Sequence, residues 1–469
     1  MTIALIDWAI FIAIIGVMFT LGVLGWSRSR TYDQYLVAER KVGYFQTICV
    51  SAGLATAAAL GVTALGYEFG MVGSWFFIML GIGFFILAFT ITTRLRQLAK
   101  FQVVDVFELR YGIASSHIMA VITLIAYITL LSTGYVGAGL VITVLTGLPL
   151  LTSIMIIGVV FIVKVAVGGW RGTSYTTTFQ LLIFLVGLTI VALTALTNVG
   201  GWEGLTVRVP ADALDIIAMP LAPLLIFAFF FVMALSMPAT ADAYQAINAA
   251  KSPLVAKISI FIAGIIVIIV GIVSALIGVA GMAVFPYGTL ESGELVMPLF
   301  VLFLPPGLLG LAAGALLAGA SSLVDLDQMV GATLIARSFV KKEVNTKILR
   351  ILTLVVGAVA LILALAIPSI IGLIELCFRI YIPAAVPAII AAFYWKRATA
   401  PAAIASVITG AIMGGLWTFL VLPALHFTVW EFILEPTFIG LIASSTVLIV
   451  GTYLSKPPPT TMVKAMGFS

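Results

Sequence analysis

Two carboxylates, Asp325 and Asp327, sit in the stretch "SSLVDLDQMV" (321–330), and they are the only formal charges between Leu308 and Ile335. That run is long enough to cross a bilayer, and an acid at its centre costs roughly 2.5–3.5 kcal/mol on insertion scales. The chemistry that justifies such a cost is the holding of a cation or a proton away from water. Ser321 and Ser322 stand about one turn earlier and add hydroxyl oxygens, the ligand type that hard cations prefer. At about 100° per residue, Ser321, Asp325 and Gln328 fall within a narrow arc of one helix face, with Ser322 adjoining. Asp327 points well away and needs a partner of its own or a watery crevice. Plainer readings stand beside these. Two serines in "LLAGASS" also permit close helix packing or bond back to the preceding turn, and Asp325 can be half of an ion pair with Lys164 as its mate.

The remaining intramembrane polar groups are few: Glu68, Lys164, Glu375 and Arg379, beside Thr176, Thr177, Thr178 and Gln180. Glu375 and Arg379 lie four apart on one face, and their simplest reading is a pair that neutralises both charges. The sharper reading is an outer gate, or an arginine that engages a substrate carboxylate bidentately. Lys164 lies about one turn from the end of its span, where snorkelling to the interface is the simplest account. Glu68 follows an irregular segment near the outer face and is expected to be solvated.

These residues need apolar elements to position them, and composition supplies them. The 469 residues are 63% hydrophobic and 9% charged. Repeated charge-free runs of about twenty residues match roughly 30 Å of hydrocarbon and indicate a polytopic, all-α membrane protein. Thirteen spans are expected, at about 5–26, 44–69, 72–92, 116–146, 148–167, 174–197, 220–238, 257–283, 307–338, 350–367, 370–394, 401–423 and 436–454. With the N-terminus outside and the C-terminus inside, 20 of the 23 Lys and Arg residues fall in cytoplasmic loops, as the positive-inside rule requires. The net charge of +5 then describes loops beside anionic lipid rather than a nucleic-acid surface. No basic n-region precedes the first apolar run, so that run is expected to remain as a span. Cys49 and Cys377 read as buried small hydrophobes. Without a phosphate-cradling loop or a histidine-rich metal site, and with its acids dispersed, the chain does not read as an enzyme.

Two spans are irregular. Span 44–69 holds "SAGLATAAALG", whose small residues weaken a helix, and span 220–238 is framed by Pro220, Pro223 and Pro238. Interrupted helices in two halves of a transporter point to a binding site at the membrane midplane. With the first span counted as an extra helix, each opens a five-helix repeat, which fits an inverted five-plus-five architecture.

"YLVAERKVG", "SAGLATAAALGVTALGYEFG", "VVDVFELRYG", "VGGWRGTSYTTTFQ", "YQAINAAKS", "SSLVDLDQMVGATLIARSF" and "FYWKRAT" together resemble the successive signatures of the sodium/solute symporter family, which includes proline, sugar, pantothenate and sialic-acid transporters. The resemblance covers nearly the whole chain. It implies a leucine-transporter-type fold, secondary active symport of a small-molecule solute across the lipid bilayer, and Na+ as the coupling ion. The Na+ site it implies uses the backbone carbonyls of Ser51 and Leu54 and the hydroxyls of Ser321 and Ser322. One departure is informative. The family places Thr-Asp where this chain reads Thr176-Thr177, so the acid of a second cation site has moved to Asp325 on the facing helix, leaving Thr177 opposite. A lysine replaces a cation in some transporters of this fold, which keeps H+ coupling through Asp325 or Lys164 as the alternative; a transporter-like membrane sensor is another.

The expectation is therefore one membrane transport domain over 1–469: an extra helix at 5–26, repeats at 44–197 and 220–394, and two further helices at 401–454. The broken-helix wall around Ala58, "ATAAALG", carries no charged or amide side chain, which suggests a small or partly apolar solute such as a monocarboxylate or an amino acid.

Overall fold

The structure is a computed structural model that describes residues 3–26, 40–53, 55–98, 102–218, 221–340, 346–421 and 435–467. The described elements are helices, in the order α1 (Leu5–Trp26), α2 (Tyr44–Gly53), α3 (Ala59–Phe69), α4 (Trp75–Thr90), α5 (Thr92–Leu98), α6 (Val103–Tyr111), α7 (Ile113–Thr146), α8 (Leu150–Asn198), α9 (Gly201–Arg208) and α10 (Leu221–Phe229). There follow α11 (Ala241–Ala249), α12 (Pro253–Val284), α13 (Val296–Val301), α14 (Leu308–Phe339), α15 (Thr346–Ala366), α16 (Ile370–Tyr394), α17 (Ala400–Leu416), α18 (Pro436–Leu454) and α19 (Thr460–Ala465). Helices satisfy their own backbone polar groups, which a hydrocarbon solvent demands. Their outward faces carry exposed Val159, Val163, Ile269 and Ile362, side chains whose natural solvent is lipid.

Among the described residues, eleven helical stretches are long and apolar enough to cross a membrane, and Leu150–Ala166 is a shorter apolar helix. The expected spans 44–69 and 72–92 meet at the turn Gly70–Ser74, the first as the two half-helices α2 and α3 and the second as α4. The half Tyr44–Gly53 is short, while Ala59–Thr90 forms one apolar stretch through the tight turn Gly70–Ser74.

The helix that carries the two aspartates is the centre of the molecule: 89% of its apolar window is buried, against 28% for α1. It packs against α1, α7, α8 and α15. Small residues make that possible. A Cβ at Gly310 would lie 2.3 Å from the carbonyl oxygen of Asp7, and one at Gly314 2.5 Å from Cδ1 of Ile14, so only glycine admits α1 so closely. Asp7 returns the contact by accepting hydrogen bonds from the amides of Gly307 (2.7 Å) and Gly310 (2.8 Å), capping the first turn of α14.

Expected spans 148–167 and 174–197 appear as one helical run, α8. A straight helix would hold Lys164 and Gln180 roughly 24 Å apart. Both reach Ser321, so the run folds back between them.

Polar ties close the two ends of the bundle. At one end Asp105 caps α6 through the Gln102 amide (3.0 Å) and pairs with Arg337 near the end of α14, while Arg110 donates to the carbonyls of Trp395 (3.1 Å) and Lys396 (2.9 Å). At the other end, in the loop between α12 and α14, buried Glu294 accepts from the amides of Ile370 (2.8 Å) and Ile371 (3.1 Å) and from the Ser369 hydroxyl (3.3 Å), so it caps α16. Burial raises its carboxyl to about 7, against the opposing pull of those hydrogen bonds.

Candidate functional site

The first broken helix stops at Gly53 and resumes at Ala59. Ala55 N bonds to the Ala52 carbonyl (3.2 Å) and Thr56 N to that of Gly53 (3.3 Å), which are three-residue closures. The Ser51 carbonyl thereby loses the donor that a continuing α-helix would supply. The break is pinned to α14: Thr56 Oγ1 donates to the Gly319 carbonyl (2.7 Å) and Ser322 Oγ to that of Gly53 (3.2 Å). A Cβ at Gly53 would meet Thr177 Cγ2 at 2.6 Å and Ser322 Oγ at 2.7 Å, so α2, α8 and α14 touch at this one residue. The Ser51 hydroxyl is buried without a hydrogen-bond partner among the described residues, and Leu54 lies outside them.

Beside the break is a fully buried polar cluster. Lys164 Nζ lies 2.7 Å from Asp325 Oδ1 and donates to Ser321 Oγ. Gln180 Nε2 reaches both Ser321 Oγ and Asp325 Oδ2 at 3.0 Å, and Thr176 Oγ1 donates to Asp325 Oδ2 at 3.0 Å. The expectation that Lys164 snorkels is corrected: it is 3% exposed, held inward because pairing with a buried carboxylate outweighs a short reach to the interface. Asp325 thus has the mate that the plainer reading gave it. Ser321 receives two donors, an ammonium and an amide, at the oxygen that the family resemblance gives to Na+. Thr177 Oγ1 is buried without a partner among the described residues, whereas Thr178 bonds back to the Ser174 carbonyl (2.7 Å), away from the cluster. Gln328 extends the same face of α14 to the Thr353 carbonyl (2.8 Å).

The second broken helix runs from α10 through a π turn at Phe230–Ala234 and a tight turn at Met237–Ala239 into α11. Pro238 cannot continue the ladder, and the chain restarts at Ala241. Between the two breaks lies a chamber of ≈ 60 Å³. Ala58 from the first break, Phe77 from α4, Leu323 from α14 and Phe378 from α16 give it apolar walls, and Tyr127, Tyr381, Thr240 and Asp242 are its polar groups. Asp242 accepts from Tyr127 Oη at 2.6 Å, and Tyr381 Oη donates to the Ala239 carbonyl at 2.7 Å.

Arg379 and Glu375 lie outside that lining. They pair at 3.1 Å, and Arg379 also reaches Glu435 at 3.0 Å. Glu68 is exposed at the far end of α3. Asp327 faces away from Lys164, as the helical arc predicts, with both carboxylate oxygens buried and no hydrogen-bond partner among the described residues.

Asp242, Tyr127 and Glu435 are the residues that sequence reasoning missed. Asp242 had a signal: it follows Pro238 by four residues, in the half-helix that a span ending at 238 leaves out. Tyr127 and Glu435 had none, because their partners lie 115 and 56 residues away.

The profile of the Sodium:solute symporter family matches residues 35–410. Among solved structures, a Na+-coupled sialic acid symporter in a substrate-bound outward-open state superposes with a TM-score of 0.81 at 17% identity, over 97% of this chain and 99% of that one. Mhp1, a nucleobase-cation-symport-1 family transporter in a closed conformation with bromovinylhydantoin bound, gives 0.61 at 14% identity, over 94% and 98%. MhsT in complex with L-phenylalanine gives 0.55 at 19% identity, over 87% and 98%. These likenesses show the leucine-transporter-type fold.

Proposed function

Because the chain belongs to the sodium:solute symporter family, we propose that it is a multi-pass plasma-membrane transporter that imports a small organic solute by coupling its movement to a cation. It would form one transport domain, with repeats over 44–197 and 220–394, its N-terminus outside and its C-terminus inside. The observation that carries this reading is the meeting of two broken helices on one chamber, with Ser322 of α14 bonded to the carbonyl at the end of α2. In this reading Na+ binds between the carbonyls of Ser51 and Leu54 and the hydroxyls of Ser321 and Ser322, bracing α2 against α14. Coupling then requires that Na+ bind the solute-accepting state better than the other state.

A second reading is favoured by one specific observation. Lys164 places its ammonium on Ser321 and Asp325, where the cation would otherwise be. Na+ would have to displace that ammonium, whereas a proton moving between Lys164 and Asp325 would change the same contacts without a metal ion. H+ is the coupling ion in this case.

Uptake by proteoliposomes of a labelled solute panel, under separate Na+ and H+ gradients, decides between the two. For Na+ coupling, the Ser321→Ala/Ser322→Ala variant should need about tenfold more Na+ for half-maximal uptake while inserting normally. Unchanged Na+ dependence in that variant would count against the site. For H+ coupling, wild-type uptake should ignore Na+ and follow the pH gradient, and Lys164→Met should lose that drive.

A further inference from the structure

We propose that the chamber between the broken helices is built for a compact organic cation, a protonated amine on an apolar body, held by the carboxylate of Asp242. The inference rests on the transporter reading and names the solute class. Asp242 is 3% exposed, and it lines the chamber. Its Oδ1 accepts from Tyr127 Oη (2.6 Å) and from the Ala243 amide (3.2 Å), which fix the carboxylate in place without neutralising it. Among the described residues, no lysine or arginine lines the chamber. Lys164 is taken up by Asp325, and Arg379 by Glu375 and Glu435.

Asp327 adds a second, independent indication. Both of its oxygens are buried without a hydrogen-bond partner among the described residues, on the helix that gives Leu323 to the chamber wall. A carboxylate buried in a low-dielectric interior is costly without a counter-charge, and an incoming ammonium supplies one to Asp242. A solute carboxylate would instead set a second negative charge beside Asp242. The walls suit the rest of such a solute: Phe76, Phe77 and Phe378 offer apolar contact and aromatic faces that attract cations. With ≈ 60 Å³ available, the chamber accepts about four to six water-sized groups. This narrows the sequence expectation of a monocarboxylate or an amino acid toward solutes that bear an amine.

Three probes that share one body separate the possibilities: isobutylamine, isobutyl alcohol and isobutyric acid, added at pH 7 to the full-length protein in lipid nanodiscs, with binding read by tryptophan fluorescence and thermal shift. The amine should bind at least about tenfold more tightly than the alcohol, with the acid weakest. Asp242→Asn should erase the amine's advantage. Ala58→Val, which fills the chamber from the first break, should weaken the amine about tenfold even if Asp242→Asn fails to fold. Acid binding equal to or tighter than the amine in wild type would overturn the proposal, as would an undiminished amine signal in folded Asp242→Asn or in Ala58→Val. Ion-gradient-driven uptake that persists with such a result would overturn this solute class alone and leave the transporter reading intact.

Discussion

Lys164 and Asp325 illustrate how a single residue's fate depends on what it meets. Alone, either charge is expensive inside a bilayer, and together they neutralise each other within a polar cluster that also uses Ser321, Gln180 and Thr176. Losing one partner leaves the other buried and uncompensated. Lys164→Met should therefore destabilise the protein by ~3–5 kcal/mol, whereas Lys164→Met with Asp325→Leu should recover most of that loss. Unfolding in denaturant, monitored in detergent micelles, checks both. A double variant as unstable as the single would show that the neighbouring hydroxyls and amide, rather than the ion pair, carry the stability of the cluster.

Elements in this protein are organised around their ends. The two breaks leave half-helix termini in the middle of the bundle, and α14 runs unbroken between them to hold Ser321, Ser322 and Asp325. At the outer end of this arrangement, by the proposed orientation, Glu294 caps α16 from a loop and couples that loop to a helix lining the chamber. Its carboxyl is raised from 4.5 to about 7 by burial, so the folded state holds a proton that the unfolded state releases. The corresponding stability is fully present below pH 4.5 and is lost as pH rises to about 7, at up to about 1.4 kcal/mol per pH unit. Glu294→Gln cannot titrate. Its unfolding free energy should be flatter than wild type between pH 4.5 and 7, and an identical slope in the two proteins would remove Glu294 from this role.

For the whole molecule, the distribution of Lys and Arg predicts which loops face the cytoplasm. The two native thiols, Cys49 and Cys377, are free and buried, so they give little background to a membrane-impermeant thiol reagent. In intact cells, Thr289→Cys, at an exposed site between α12 and α14, should label readily, and Lys456→Cys, exposed after α18, should label only after permeabilisation. The reverse pattern would invert the proposed topology.

The sequence by itself determined the solvent, the class and much of the architecture, because each follows from local quantities. Charge-free runs set helix length, small residues and prolines set where helices give way, and the motif order set the family. The split of Asp325 from Asp327 was also legible, since helical periodicity alone sends them to different faces. What only the tertiary structure decided is which distant groups meet. Lys164 and Asp325 are 161 positions apart, and Tyr127 and Asp242 are 115 apart. No periodicity reports such pairs: snorkelling and burial of Lys164 fit the same local pattern, and the choice turned on a carboxylate delivered by another helix. The same holds for Asp242, whose place in the chamber depends on a helix that stops at Pro238 and starts again, a break that sequence located without showing what it faces.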